Sequence, residues 1–582
     1  MSTDLITEHL DLWTSAVTYN NGKGRGNNGE PELTGIQKLR ELILELAVRG
    51  KLVPQDPEDE PASKLLERIE EEKKRLYKEG KIKKPKKLPE VSEDEKPYEV
   101  PEGWVWARLV ELFEIQDSYR IPLNKKERNK REGKYPYYGA NGQIGTIDDY
   151  IFEGRRILIA EDGGFFSDPI RGVAYIAEGR FWVNNHAHVL RCIGSTNEKF
   201  WISYFNQFDW LPYVRGMTRY KLNQATMQKI PLPVPPLAEQ KRIAEKVDEL
   251  MALCDRLEQQ TSAQISAHET LVDTLLDTLT RSQDAAELAD NWARLAEHFD
   301  TLFTTEHSID RLEQTIIQLA VMGRLVPQDP KDEPASKLLE RTRLEKEQLV
   351  KEKKIKKPQK LSEVSEEEKY FVLPDKWVWA RFGETGYTRL GKMLDKAKNQ
   401  GLKKKYLRNT NVQWWSFDLE ELKELMLEEN ELKEYSVNYG DLLICEGGEP
   451  GRCAVWRDED SEMYIQKAIH RHRPLGGISP DYLKICLTVD FHSGRLSQLF
   501  TGTTIKHLPG DNLAKYVIPL PPIKQQCKIV EKVNEFMALC DRLKAHLNKA
   551  GETQVQLAEI IVNRAIDGEV PDSTESQYCS QF

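Results

Sequence analysis

A long internal repeat limits what this chain can fold into more than any other feature of its sequence. The stretch LVPQDPEDEPASKLLER that begins at Leu52 returns at Leu325 with 16 of its 17 residues unchanged, at an offset of 273. A second block, EKVDELMALCDRL from Glu245, returns in similar form at Glu531, at an offset of 286. This period is far longer than the roughly 20 to 50 residues of solenoid repeats. The sequence therefore predicts a tandem duplication of domain-sized parts.

The segments between the matched blocks are unlike each other. They run from about residue 110 to 230 and from about 383 to 516, and WVWAR precedes both of them, at Trp104 and at Trp377. Near the C-terminus, IIVNRAIDGEV echoes the ends of the repeated apolar runs, so the chain ends by restarting the repeat. Such a permuted pattern is expected when the last helix packs beside the first and closes a pseudo-two-fold arrangement.

We divide the chain at the borders of these blocks. The predicted parts are an N-terminal extension (1–38), a first conserved helical region (39–104), a first divergent module (105–235), a central conserved region that holds the second repeat copy (236–377), a second divergent module (378–520) and a C-terminal conserved helix (521–582).

The second conserved block predicts a long helix in each copy. The prolines of PLPVPPL exclude a helix before Pro236, and proline suits the first turn of a helix that begins there. Apolar residues then follow heptad steps at Ile243, Val247, Leu250, Cys254 and Leu257, and again at Ile529, Val533, Phe536, Cys540, Leu543 and Leu547. A first helix that continues through LVDTLLDTL would have about 45 residues and a length of about 65 Å. Matching seams favour an antiparallel pair that holds the modules apart, although each seam can also be core within its own domain.

Short strand patterns predict that the modules are mixed α/β domains. The first contains YPYYGANGQIG, RRILIAEDGG and a further strand in FWVNNHAHVLRC, and the second contains DLLICEGGEPGRCAVW and MYIQKAIHRHRP. ILIAE in the first aligns with LLICE in the second, which suggests one fold beneath unlike surfaces. The predicted fold class is therefore α+β multidomain, with two mixed α/β modules separated by two long conserved helices packed as an antiparallel coiled coil.

Net charge divides unequally along the chain. The whole chain carries −10, but the two modules together carry +4 and the rest carries −14. The modules are thus free to approach a polyanion. Eight cysteines are scattered without a CxxC pair, and neither a signal peptide nor a long apolar run is found. We expect reduced thiols and a cytoplasmic protein.

Basic runs at the start of both modules are candidate nucleic-acid contacts, and polar residues beside them are candidate base contacts. In the first module, where Arg120 begins the run, the predicted DNA-binding residues are Lys125, Lys126, Arg128, Lys130, Arg131, Lys134, Tyr138, Asn141, Arg219 and Lys221. In the second module, where Arg389 begins it, they are Lys392, Lys396, Lys398, Lys403, Lys404, Lys405, Arg408, Asn411, Gln413 and Lys506. A lysine run can also be only a solvated face. The repeated KKPKKL and KKPQKL runs, beside acidic SEDE and SEEE, are more typical of a linker or partner surface.

Motifs for catalysis are mostly absent. The chain has no GxxxxGK[ST] loop and no Asn-Pro-Pro-aromatic methyltransferase motif. His186 with His188, and His470 with His472, form HxH pairs on predicted strands, where alternation would place both rings on one face. No carboxylate or cysteine cluster at ligand spacing completes a metal site, so polar contact or strand packing is favoured. Glu161 and Glu446 stand at matching positions before Gly-rich turns, which is too common a pattern to indicate a nuclease centre.

The repeated LAVRGKLVPQDP and LAVMGRLVPQDP, the paired WVWARL and WVWARF, and the helix starts IPLPVPPLAEQKRI and IPLPPIKQQCKI resemble the DNA-specificity subunit of type I restriction-modification enzymes. The resemblance covers nearly the whole chain. It implies two target recognition domains, each reading one half of a split DNA sequence, with the conserved helices as a ruler and no catalytic site or cofactor in this chain. It also implies two modification subunits that use S-adenosylmethionine and two restriction subunits that use ATP and Mg²⁺ as partners.

Two other classes of function stay open at this point. One is a self-contained enzyme that modifies or cleaves DNA, and the other is a scaffold that brings two proteins together. The N-terminal extension and the charged insert from about Asp56 to Glu95, with its counterpart in the second repeat copy, are expected to contact other subunits. The sequence does not reveal which bases are read.

Overall fold

The computed structural model describes residues 6–19, 31–84, 88–167, 171–216, 219–282, 285–395 and 400–567. They form two units, the first within 1–264 and 549–582 and the second within 265–548. Each unit holds one module. Within the described ranges, no helix combines the length and the apolar character that crossing a membrane requires.

Some helices lie within the two modules, and the others precede or follow them in the chain. Up to the end of the first long helix they are α1 (Leu10–Ser15), α2 (Thr34–Val48), α3 (Ala62–Lys78), α4 (Leu109–Leu112), α5 (Lys125–Arg128), α6 (Glu198–Gln207), α7 (Gln224–Met227) and α8 (Leu237–Arg281). The later helices are α9 (Ala285–Glu297), α10 (Phe299–Leu302), α11 (Glu306–Val321), α12 (Ala335–Lys351), α13 (Glu429–Tyr435), α14 (Pro480–His492), α15 (Gly510–Lys515) and α16 (Ile523–Asp567). The predicted long helices are confirmed, because α8 and α16 contain 45 residues each.

Most strands in the first half of the chain belong to the first module. They are β1 (Thr18–Tyr19), β2 (Pro31–Glu32), β3 (Val105–Arg108), β4 (Phe113–Ile115), β5 (Tyr135–Gly139), β6 (Gly142–Ile147), β7 (Phe152–Glu153), β8 (Arg156–Ala160), β9 (Ala174–Ala177), β10 (Arg180–Val183), β11 (Ala187–Cys192), β12 (Val214–Arg215), β13 (Lys221–Leu222) and β14 (Pro231–Val234). The second half contains β15 (Val378–Arg381), β16 (Gly386–Leu390), β17 (Leu402–Leu407), β18 (Lys423–Leu427), β19 (Ser436–Val437), β20 (Leu442–Cys445), β21 (Cys453–Val455), β22 (Met463–Ile465), β23 (Ile469–Pro474) and β24 (Val517–Leu520).

The two modules share one topology beneath their unlike sequences. Each has two four-stranded sheets, ordered β6-β5-β10-β7 and β4-β11-β8-β9 in the first module and β18-β17-β22-β19 and β16-β23-β20-β21 in the second. One strand pair in each module is parallel, with Trp182 opposite Tyr137 and Tyr464 opposite Tyr406. Apolar side chains from both sheets form the core of each module. The predicted pair of mixed α/β domains is therefore confirmed.

The two ends of each module are hydrogen-bonded to each other. β3 runs antiparallel to β14, with Val105 opposite Val234, and β15 runs antiparallel to β24, with Val378 opposite Leu520. We call each of these strand pairs the neck of its module. Because a neck joins the first and last strands, the sequence between them can change without moving the points where the module meets the helices.

The last residue of each WVWAR motif binds the acidic run to the neck. Arg108 and Arg381 are 5% and 4% exposed. The guanidinium of Arg108 donates to both carboxylate oxygens of Glu95 at 2.7 and 2.6 Å, and that of Arg381 donates to both of Glu368 at 2.6 and 2.7 Å. Such bidentate pairs fix geometry as well as charge. The acidic SEDE and SEEE runs therefore fasten each charged insert to its own module.

A lysine, buried in the first copy and half-buried in the second, binds the helix of each insert to its module. Lys73 of α3 donates to the carbonyl oxygen of Val110, and Lys346 of α12 donates to those of Gly383 and Gly386 at 2.6 and 2.8 Å. Burial lowers the pKa of Lys73 to about 8. The inserts, which the sequence predicts to contact other subunits, thus make extensive contacts within their own units.

Two local predictions differ from the structure. FWVNNHAHVLRC forms two strands instead of one, because Asn184 accepts the backbone N–H of His186 at 2.8 Å and turns the chain from one sheet into the other. The first conserved helix begins at Thr34, ahead of the predicted border at residue 39. Part of the N-terminal extension packs on that helix, where a Cβ on Gly35 would lie 2.4 Å from the carbonyl oxygen of Trp13.

The heptad seam of α16 has two kinds of neighbour. Ile529 and Val533 belong to the core that the second module shares with α11 and α12. Cys540 lies in a different cluster, with Val272 and Leu276 from the last part of α8. In the second unit the seam therefore acts as domain core at its start and as a helix–helix contact farther along. Its neighbours there are the end of α8 and the helix α11.

Equivalent helix contacts in the two units carry opposite charges at one position. In the first unit Arg40 of α2 pairs with Glu258 of α8 at 2.8 Å. In the second unit the equivalent residues are Glu313 of α11 and Lys544 of α16, which pair at 2.8 Å. A mismatched contact would bring like charges together, so the reversal favours the correct helix pairs.

We expect Arg40→Glu to lower the melting temperature, because the new carboxylate at position 40 would face Glu258, at a cost of about 1 kcal/mol for partly exposed charges. The double variant Arg40→Glu, Glu258→Lys reproduces the charges of the second unit and should recover the stability. Thermal unfolding at low and high salt measures both effects. Equal melting temperatures for the single and double variants would show that the two positions are not coupled.

Candidate nucleic-acid interface

Three loops meet at one edge of the first module. They are the turn between β5 and β6, the Gly-rich turn after β8 and the hairpin of β12 and β13. The Asn141 side-chain amide donates to the carbonyl oxygen of Gly163 at 3.2 Å. The Leu222 N–H donates to the carbonyl oxygen of Glu161 at 2.8 Å. These contacts hold the three loops together, and we call them the loop face of the module.

The second module builds the same loop face from different residues. The Asn409 amide donates to the carbonyl oxygen of Gly447 at 3.2 Å. The Leu508 N–H donates to the carbonyl oxygen of Glu446 at 2.8 Å, and the preceding hairpin closes between Thr501 and His507. Sequence analysis missed Asn409, although its place two residues after β17 was a usable signal.

Exposed cations stand on both hairpins. In the first module Arg219 and Lys221 have side chains 62% and 52% exposed, and Arg219 pairs with Asp162 at 2.7 Å. In the second module Lys506 is exposed. Exposed cations beside closely held backbone loops suit contact with phosphates.

A carboxylate–histidine cluster lies beneath the first loop face and resembles a metal site in composition. Ligand atoms of Asp117, Glu161 and His188 lie within 4.8 Å of one another. However, the guanidinium of Arg120 already lies 2.7 Å from Glu161 and 3.4 Å from Asp117. The His188 ring nitrogens lie 2.6 Å from Asp117 and 2.9 Å from the carbonyl oxygen of Leu222. The arrangement therefore favours a network of ion pairs and hydrogen bonds over metal binding.

The HxH pairs do not form a shared metal face. In the first module the prediction of two rings on one strand face is wrong, because His186 precedes β11 and its side chain is 40% exposed, whereas that of His188 is buried. In the second module both rings are buried on β23. His470 contacts the carbonyl oxygen of Leu508 at 2.8 Å, and His472 contacts the Thr388 hydroxyl at 2.9 Å.

The first basic run separates into exposed lysines and packed arginines. Arg128 lies over the ring of Tyr137 at 5.3 Å, and Arg131 lies over Trp182 at 4.8 Å. Stacking of this kind fixes a guanidinium on the protein surface. The predicted side chains that are exposed here are Lys125, Lys126, Lys130, Lys134 and Asn141.

The second basic run also separates. Strand β17 places Lys403 and Lys405 on one face and Lys404 on the other. Lys404 is 22% exposed and pairs with Glu462 at 2.6 Å, whereas Lys403 is 72% exposed and Lys405 is also exposed. The face with Lys403 and Lys405 is therefore more open to a polyanion than the face with Lys404, and the acidic neighbour of Lys403, Glu424, lies 4.0 Å away.

The other predicted cations of this run are committed to the protein or lie outside the described residues. Lys392 pairs with Glu431 and is 18% exposed. Arg408 pairs with Glu421 at 3.2 Å. The residues outside the described ranges are Lys396 and Lys398.

Three predicted polar contacts are occupied within the modules. Asn411 is 2% exposed, and its amide donates to the carbonyl oxygens of Asp418 and Glu421 at 2.9 and 3.0 Å. The Gln413 amide donates to the Thr410 carbonyl oxygen at 2.8 Å. Tyr138 packs against the module core. Asn411 thus holds its loop in shape, and this geometry does not present it to a base.

Comparison with known proteins identifies a family. Residues 101–267 and 374–551 match the type I restriction modification DNA specificity domain. The chain is 39% identical to the specificity subunit of the type I restriction enzyme EcoEI of Escherichia coli and 38% identical to that of EcoAI, over 97% of this chain and 99% of each relative. The HsdS subunit from Thermoanaerobacter tengcongensis is similar at 15% identity, with a TM-score of 0.39, over 82% of this chain and all of that one.

We expect Lys403→Ala with Lys405→Ala to weaken DNA binding at every sequence and to reduce the slope of log affinity against log salt by about 0.9 for each phosphate that is no longer neutralised. Lys404→Ala is the matched control from the same strand and should leave that slope unchanged, because its ammonium is already paired. Affinity titrations at several salt concentrations measure both. An unchanged slope in the double variant would show that this face contacts solvent and not DNA phosphates.

Proposed function

The chain belongs to the type I restriction-modification DNA specificity family, and on that basis we propose how its two modules divide DNA recognition. It is a specificity subunit, the non-catalytic component that recognises the DNA sequence. In our proposal each module reads one half of a bipartite target. The observation that carries the proposal is the repeated topology, with one loop face on each module and unlike sequences at the hairpin tips.

The necks support independent reading by the two modules. Each module is closed by its own strand pair. The hydrogen bonds described above for each loop face join residues of that same module. A change within one module therefore has no direct path to the hydrogen bonds that shape the other loop face. We propose that the two half-sites are read separately for this reason.

Partner subunits are part of the protein's role, and their number belongs to the proposal. We propose two modification subunits, which use S-adenosylmethionine, and two restriction subunits, which use ATP and Mg²⁺, while this chain binds no cofactor. The relatives named as specificity subunits of type I restriction enzymes support an assembly of several subunits. A cytoplasmic location completes the proposal.

Replacement of residues 109–230, which leaves both strands of the first neck in place, tests separate reading. With the corresponding segment from a relative of different specificity, one half of the methylated sequence should change while the other half and the gap stay the same. The matched replacement of residues 382–516 should change the other half. The measurement is the methylation pattern of cells that express each variant with its modification subunit. A simultaneous change in both halves would contradict separate reading.

The purified chain, incubated with DNA, Mg²⁺ and S-adenosylmethionine, should transfer no methyl group and cut no strand, because the reaction requires partner subunits. Addition of the modification subunit should give methylation at the target sequence. Incubation of the modification subunit alone is the control. Product formed by the chain alone would support a self-contained enzyme. An assembly without any sequence preference would support a protein scaffold.

A further inference from the structure

The two modules hold their hairpins with the same backbone contacts. The hairpin of β12 and β13 ends at Leu222, and the equivalent hairpin in the second module ends at Leu508, at the offset of 286 that relates the conserved helices. Both leucine side chains are fully buried. Their N–H groups donate to the carbonyl oxygens of Glu161 and Glu446, at 2.8 Å in both modules. The end of each hairpin is thus anchored while its tip remains at the surface.

A buried histidine completes each anchor. The Nε2 atom of His188 lies 2.9 Å from the carbonyl oxygen of Leu222, and Nε2 of His470 lies 2.8 Å from that of Leu508. A carbonyl oxygen only accepts, so Nε2 carries the hydrogen in both rings. His188 and His470 are each 1% exposed. A buried carbonyl left without a donor is costly, so each ring fixes the position of its hairpin.

The anchors are alike, but the tips are not. The residues before the two leucines are RGMTRYK, from Arg215, and TGTTIKH, from Thr501. In the second tip Ile505 is 64% exposed and Lys506 is exposed as well. An exposed large aliphatic residue beside a cation is typical of a surface that contacts another molecule, and aliphatic groups can contact the methyl group of thymine.

We propose that His188 and His470 are positioning residues for sequence recognition, which hold the hairpin tips against the DNA bases. The described residues of these tips are 215–216, 219–221 and 501–507. The inference rests on the proposed function and names the element within each module that does the reading. It also gives a role to one histidine of each HxH pair. The variable tip supplies the side chains, and the shared histidine supplies their position.

His470 offers the cleaner test because the same strand contains a matched control. His470→Leu removes the donor and keeps an apolar side chain of similar size, whereas His470→Gln keeps an N–H near the position of Nε2. His472→Leu changes a neighbouring buried ring that contacts Thr388 and Thr385 but not the hairpin. All three variants are prepared as full-length chains in complex with the modification subunit.

The measurement is the affinity for duplexes with both half-sites intact or with one half-site scrambled. His470→Leu should reduce discrimination at the half-site of the second module by about tenfold or more, as expected when one base is no longer read, and leave the other half-site unchanged. His470→Gln should restore most of that discrimination. His472→Leu should lower the melting temperature but keep discrimination. Retained discrimination in His470→Leu, or an equal reduction in His472→Leu, would overturn the inference.

A tip variant keeps the proposal testable if His470→Leu does not fold. Ile505→Ala with Lys506→Ala alters only exposed side chains and should reduce discrimination at the same half-site, while the melting temperature stays unchanged. Full discrimination in this variant would also overturn the inference. If the unmodified complex does not distinguish the intact duplex from either scrambled one, the proposed function itself fails, which is a different result.

Discussion

The strand pair at the neck of each module is the constraint on which the rest of the structure depends. It brings the two ends of a long, variable segment to one place and fixes them with backbone hydrogen bonds, which need no particular side chains. Arg108 and Arg381 add the sequence-specific part, because each buried guanidinium binds the neck to a glutamate of the preceding insert. A duplicated scaffold can therefore carry two unlike modules.

Divergence within the scaffold shows how the two copies became distinct while they kept one geometry. The Trp104 indole donates to the buried carboxylate of Glu239 at 2.8 Å, and the equivalent Trp377 donates to the amide oxygen of Gln525 at 3.0 Å. Burial raises the pKa of Glu239 in the folded protein. The free energy of unfolding therefore falls as the pH rises through the range in which this carboxyl group ionises. Gln525 makes the same contact but does not ionise, so its contribution to stability does not depend on pH. The contact is retained, but its charge is not.

The sequence predicted the large elements and failed where long-range contacts decide the outcome. Heptad spacing reports the local period of one helix, so both α8 and α16 could be predicted from it. The break at Asn184 depends on a turn between two sheets that no local pattern reports. A run of charges likewise does not tell which lysines face solvent, because Lys403 and Lys404 differ only by the alternation of β17 and the position of Glu462.

The same distinction separates the two contributions to DNA binding. In our proposal the exposed lysines on β17 and in the first basic run bind DNA through charge. This contribution falls with salt and carries no sequence information. Base discrimination requires donors and apolar groups held within a few tenths of an ångström, so it depends on buried contacts that never touch the DNA. The buried rings of His188 and His470 meet that requirement with the same hydrogen bond in both modules. Recognition can therefore diverge at the exposed tips without any change in the groups that hold them.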